Sequence, residues 1–240
     1  AIDALVKQGD VLLDEKKNDA ARELFKRAES SAATKFGKDS VESAQVYRHI
    51  ANCYMNVQLT AEALPLYAHA MEIAQKNKTP YPRMNDKKYC TCLAQDPDTS
   101  KKIDNAKKII LVLSPMVGEI EADPDPIDKL YLSSTYMLLG EAYSAQAMYA
   151  QAEDYFNKSV SAAEYQVSAS RTDKTNGQLA DALKARSQNY FRLKRYNDAI
   201  AGYKRAIAIW ERIKDDPIVT TKLAETRILL SDTTAEAKKQ

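Results

Sequence analysis

Five alanines, Ala21, Ala63, Ala106, Ala152 and Ala199, recur at separations of 42, 43, 46 and 47 residues. Four positions after each stands a large apolar residue: Phe25, Tyr67, Ile110, Phe156 and Tyr203. Twelve positions before each stands a small one: Gly9, Ala51, Ala94, Gly140 and Ser187. Three columns that agree across five copies define a repeat. A repeat of this length is one supersecondary unit that cannot bury its apolar face alone, so neighbouring copies must stack.

Further columns show what the unit is. Sixteen positions before the alanine stand Leu5, Tyr47, Cys90, Tyr136 and Leu183, and nine before it stand Leu12, Tyr54, Pro97, Tyr143 and Tyr190. These two columns and the small one are spaced by four and three residues, which is one face of a helix. The alanine, the large apolar residue after it and the column Ala28, Ala70, Leu113, Ser159 and Ala206 repeat that spacing on a second helix. Each unit is therefore an antiparallel helix pair. The small residue in the first helix lets the second approach closely.

These columns resemble the tetratricopeptide repeat, with its small residue, a following aromatic and then Ala-x-x-x-Phe. Gly140-Glu141-Ala142-Tyr143 with Ala152-Glu153-Asp154-Tyr155-Phe156 is the best copy, and Tyr196 to Ala206 is nearly as good. The spacing exceeds the usual period of about 34. It is similar to the longer variety of kinesin light chains and many bacterial proteins. Phe36-Gly37-Lys38-Asp39-Ser40 sits where that variety turns between repeats. The resemblance implies an all-α, right-handed superhelical solenoid of about five antiparallel helix pairs. The units are expected at about 2–36, 41–77, 85–122, 129–169 and 178–214, with a capping helix at 217–238, all in one domain over 1–240.

The third unit departs from the pattern. Pro97 falls in the aromatic column, and proline removes a backbone donor and clashes with the preceding turn. Its first helix is expected to run only from about Asn85 to Gln95. Asp96 to Ser100 then reads as a turn, with Asp98, Thr99 or Ser100 capping the next helix. The links Asn77 to Arg83 and Asp123 to Asp128 carry two prolines each.

Composition narrows function. Six glycines and eight prolines in 240 residues suit a chain that is mostly helix. The net charge of +2 gives no bulk attraction for nucleic acid. No apolar run approaches the roughly 18 residues a membrane helix needs. The chain begins at Ala1 and carries no signal peptide, as a trimmed chain or an exported chain after cleavage would. Cys53, Cys90 and Cys92 lack metal-ligand spacing and read as small buried hydrophobes. His49 and His69 lack the partners of a hydrolytic motif. The prolines of Asp123-Pro124-Asp125-Pro126-Ile127-Asp128 forbid a calcium loop, leaving an acidic solvated link. No phosphate loop, nucleophile elbow or dinucleotide fingerprint occurs. The expectation is a non-enzyme with no cofactor and no metal.

What remains is a surface. In the family resembled, first helices line a concave groove. The inward positions would then be Val6, Asp10, Leu13 and Asp14 in unit one, Arg48, Asn52, Met55 and Asn56 in unit two, and Met137, Glu141, Ser144 and Ala145 in unit four. Unit five would present Lys184, Gln188, Phe191 and Arg192. Side-chain amides can pair with an extended peptide backbone, and arginine or lysine can hold carboxylates. The candidate partner-binding residues are Arg48, Asn52, Asn56, Lys184, Gln188 and Arg192. A chaperone-tail clamp would need Lys or Asn at Val6, Asp10 and His49, and none is present. The function implied is a protein–protein interaction scaffold that binds a protein or peptide segment. The alternative is a peptide-responsive signalling regulator of the same architecture.

Overall fold

The structure, a computed structural model, describes residues 1–78, 83–122, 126–213 and 216–239, with side chains throughout except at 83–85 and 126–131. The proline pair Pro80 and Pro82 and the acidic run Asp123 to Asp128 lie outside the described residues or side chains. Among the described residues there are eleven helices and no strand. In order they are α1 (Ile2–Asp14), α2 (Asn18–Phe36), α3 (Val41–Asn56), α4 (Thr60–Lys76), α5 (Arg83–Ala94), α6 (Lys102–Ala122), α7 (Pro126–Ala145), α8 (Tyr149–Ala169), α9 (Asp173–Arg192), α10 (Tyr196–Trp210) and α11 (Pro217–Ala237).

Local chemistry sets these bounds. Gly37 adopts φ +92 at the end of α2, and the Ser40 hydroxyl caps α3 by accepting from the Ser43 amide at 3.0 Å. Thr172 and Thr175 form a reciprocal cap at the start of α9. The Asp216 carboxylate accepts from the amides of Ile218 and Val219 to start α11, with Pro217 in its first turn. Such caps satisfy amides that a helix cannot satisfy itself.

Two compact units result, Ala1–Lys101 and Lys102–Gln240. The first holds the pairs α1–α2 and α3–α4, then α5. The second holds α6, the pairs α7–α8 and α9–α10, then α11. The five column alanines are all buried, as are Phe25, Tyr67, Phe156 and Tyr203. The small column meets the large one directly. A Cβ added to Gly9 would collide with the Phe25 ring, and one added to Gly140 would lie 2.7 Å from the Phe156 ring. Burying each ring contributes roughly 1.5–3 kcal/mol.

The connection between α5 and α6 differs from those within the regular pairs. In the four regular pairs, three residues join the two helices: 15–17, 57–59, 146–148 and 193–195. Between α5 and α6 the connection runs from Gln95 to Lys101 and includes a short 3-10 turn at Thr99–Lys101. Cys90 and Leu93 are buried in α5, which packs against α4. Ala94 is exposed and Pro97 lies in the turn. Asp98 is the capping residue, accepting from both the amide and the hydroxyl of Ser100 at 3.1 and 2.6 Å.

Ties between repeats recur at the repeat spacing. Arg22 meets Glu62, forty positions on, at 2.5 Å, and Glu153 meets Arg195 at 2.6 Å. Buried Asn189 donates to the Tyr149 carbonyl at 3.0 Å, anchoring α9 to the start of α8. Within each unit the first helices approach one another: α1 touches α3, α7 touches α9 and α9 touches α11. No comparable contact joins α2 to α4 or α8 to α10. A stack whose first helices converge while its second helices diverge is concave on the first-helix side.

Candidate functional site

In each unit the first-helix face carries two polar rungs at the same register, Asp10 and Asn52 in the first and Glu141 and Gln188 in the second. Its neighbours decide what each rung can do.

In the first unit, Asp10 hydrogen-bonds the Cys53 thiol, which burial first and this carboxylate second push up to about 12. Asn52 accepts through Oδ1 from the Tyr67 hydroxyl at 2.7 Å and from Lys88 Nζ at 2.5 Å. Both bonds fall on the carbonyl, so Asn52 meets a partner as a donor. Burial lowers the Lys88 ammonium. Arg48 is half-buried and Asn56 is exposed on the same face of α3, four positions either side of Asn52. Val6 and Leu13, expected in the groove, are buried in the core instead. Met55 is half-buried and accepts from the Cys92 thiol at 3.2 Å.

In the second unit, Lys184 is half-buried and already holds Glu225 of α11 at 2.8 Å. Asp181, one turn away, holds Lys222 of α11 through both oxygens at 2.7 Å. Gln188 and Arg192 are exposed and make no hydrogen bond or ion pair among the described residues. Met137 packs against the cluster of Ala152, Phe156 and Ala185, so it belongs to the core rather than the groove. Glu141 is open to water, yet the protein around it and then the Asp181 carboxylate raise its carboxyl to about 7, against the pull of Lys102 and Lys184.

The six sequence-predicted residues thus fall into two triplets, Arg48, Asn52 and Asn56 on α3 and Lys184, Gln188 and Arg192 on α9. Sequence reasoning missed Lys88, Asp181, Lys222 and Glu225. A signal existed for the last three: opposite charges 41 positions apart, Lys184 with Glu225 and Asp181 with Lys222.

The other candidate chemistries resolve into packing. His69 lies 3.4 Å from Asp39 and stacks on Tyr47 at 4.9 Å. Burial raises all three thiols. No group of three His, Cys, Asp or Glu among the described residues could hold a metal ion, and no described helix is long and apolar enough to cross a membrane.

Family models described as tetratricopeptide repeat match residues 1–76 and 133–166. No curated protein matches the chain in sequence. Among solved structures, the fold is similar to the nearly identical TPR-like repeats of a Podosopora anserina protein described as a kinesin light chain, with TM-score 0.61, 13% identity and coverage of 90% of this chain and 97% of that one. It is similar to BtubC (BKLC) from P. vanneervenii, with TM-score 0.63, 18% identity and coverage of 90% and 85%. YrrB, a TPR protein with an unusual peptide-binding site, matches with TM-score 0.53, 14% identity and coverage of 92% and 90%. Residues 1–76 and 133–166 are thus tetratricopeptide repeats, in a fold shared with these tetratricopeptide-repeat structures.

Proposed function

We propose that the chain is a non-catalytic scaffold that takes an extended partner segment along the first-helix faces of its repeats. The observation that carries this reading is the convergence of first helices within each unit, which puts the polar rungs of that unit on its concave side. A concave strip of amides and charges suits a peptide backbone better than a globular partner. Asn52 and Asn56 would pair with the backbone, and Arg192 would hold a carboxylate through its forked guanidinium. Lys184 is spoken for by Glu225, so a ligand acid there must displace a carboxylate already in place. The peptide-binding site of YrrB gives this reading support from a shared fold.

The reading also takes residues 1–240 as one working array. A single cooperative thermal transition, the same by calorimetry and by circular dichroism, is the expected result; two separated transitions would count against it.

The binding test begins with a partner captured from the source organism. Asn52→Ala and Gln188→Ala are expected to weaken its binding by about 1 kcal/mol each, and Arg192→Ala by about 1.5–3 kcal/mol. The control is Lys204→Ala, at an exposed position of the outer helix α10. Calorimetry that shows loss for the control and none for the three groove changes would move the site to the outer face.

A further inference from the structure

Where the outer helices α8 and α10 diverge, a cavity of about 410 Å³ opens between them. Buried Leu179 of α9 lines it, and Val167, Ile209 and Ile213 supply further apolar surface. All four belong to or pack against the cluster around Trp210. Three arginines line the same cavity, Arg171 just before α9 and Arg205 and Arg212 at α10 and its end. One acid, Asp173, joins them.

The charges around this cavity do not cancel. Arg205 is held by Glu164 at 2.7 Å. Arg171 and Arg212 are exposed and make no hydrogen bond or ion pair among the described residues. Among the described residues, three guanidiniums against Glu164 and Asp173 leave one positive charge. A dianionic phosphate would exceed that excess and face two carboxylates. A single carboxylate matches it, in the planar fork geometry that arginine prefers. The apolar wall beneath has no such partner and suits a large aliphatic side chain. The volume falls within the range of small-ligand pockets and far below that of a protein interface.

We propose that this cavity is a second binding site, on the outer face, for a partner segment that carries an acidic side chain beside a large apolar one. It is independent of the first-helix surface, because its residues come from the ends of α8 and α10 and the start of α9. A partner could thus be held on both faces of the second unit, or two partners at once.

The test is an amide-proton NMR titration of the full chain with N-acetyl-glutamyl-leucinamide. Saturable shifts are expected at Asn176, Ala208 and Ile209, with a dissociation constant in the millimolar range typical of so small a probe. The glutaminyl analogue should bind about tenfold more weakly, and Arg171→Glu with Arg212→Glu should abolish the shifts. Arg192→Ala, in the groove, should leave them unchanged, which separates this site from the first-helix reading. Both cavity arginines are exposed, so the double variant is expected to fold; should its melting fall, the glutaminyl comparison on the unaltered chain decides. No saturation by roughly 10 mM, equal binding of the glutaminyl probe, or the same shifts from inorganic phosphate at lower concentration would each overturn the proposal.

Discussion

A methyl group on Gly140 would sit 2.7 Å from Cε1 of Phe156, closer than any relaxed carbon contact. Phe156 is 2% exposed and has no room to retreat. Gly140→Ala is therefore expected to destabilise the fold by about 1–3 kcal/mol. Gly118, near the end of α6, meets nothing within 4 Å of an added Cβ. Gly118→Ala should stabilise by roughly 0.5–1 kcal/mol through the lost freedom of the unfolded chain. Urea denaturation of the two variants should give midpoints on opposite sides of the parent; shifts in the same direction would refute the packing argument.

The burial pattern of α5 makes its own prediction. Cys90→Leu adds volume at a fully buried small position and should cost about 1–3 kcal/mol. Ala94→Leu, at an exposed helix end, should stay within about 0.5 kcal/mol of the parent. The reverse order would restore the column assignment drawn from constant spacing.

Glu141 should make stability depend on pH. Its folded carboxyl titrates at about 7, above the ordinary 4.5. Ionising it is harder in the folded state, so its penalty is absent below the ordinary value, grows as pH rises and is complete above the folded value. Glu141→Gln should match the parent near about pH 4 and exceed it near about pH 8 by about 1 kcal/mol, the water around the group having reduced the effect. Paired denaturant melts at the two pH values decide this, and an equal offset at both would sink it.

The thiols should be inert while the chain is folded. Cys53 and Cys92 are pushed up to about 12 and Cys90 higher still, so none supplies thiolate near neutrality. A disulfide reagent is expected to label none of the three cysteines in buffer at about pH 8 and all of them in denaturant. Rapid labelling of the native chain would mean that α3 or α5 opens readily.

Amide exchange should be fastest, among the first helices, in α5. Among the described residues it is the shortest α-helix, at twelve residues, and a seven-residue connection follows it, against three in the regular pairs. Local opening favours such segments. Protection at 86–94 equal to that at 149–165 would show that the third repeat is as firm as the fourth.

The fold was legible in the sequence because its columns have one cause. Ala152 and Phe156 are buried for the same reason that Gly140 is small: two helices cross there at a distance only small residues allow. The same logic failed for Pro97 and Ala94, because constant spacing is assumed by a column count and a longer turn breaks it without altering composition. The groove was less legible. Val6, Leu13 and Met137 share a helical face with Asp10 and Glu141 by spacing, yet they turn into the core. Facing depends on where the next helix lands, which no single repeat encodes. Lys88 reaching Asn52, or Asp181 reaching Lys222, depends on side-chain length across a gap that only packed helices define.

The middle residues of the four short turns, Lys16, Gln58, Ala147 and Lys194, all adopt left-handed backbone, with φ between 59 and 63. None is glycine, so each hairpin holds its crossing at a conformational cost of about 1–2 kcal/mol. In kinetic terms such turns close early. Bringing two helices together across three residues loses little entropy, so these four hairpins can form before any repeat finds its neighbour. The connection from Gln95 to Lys101 is longer and contains a proline, so it has no such early closure.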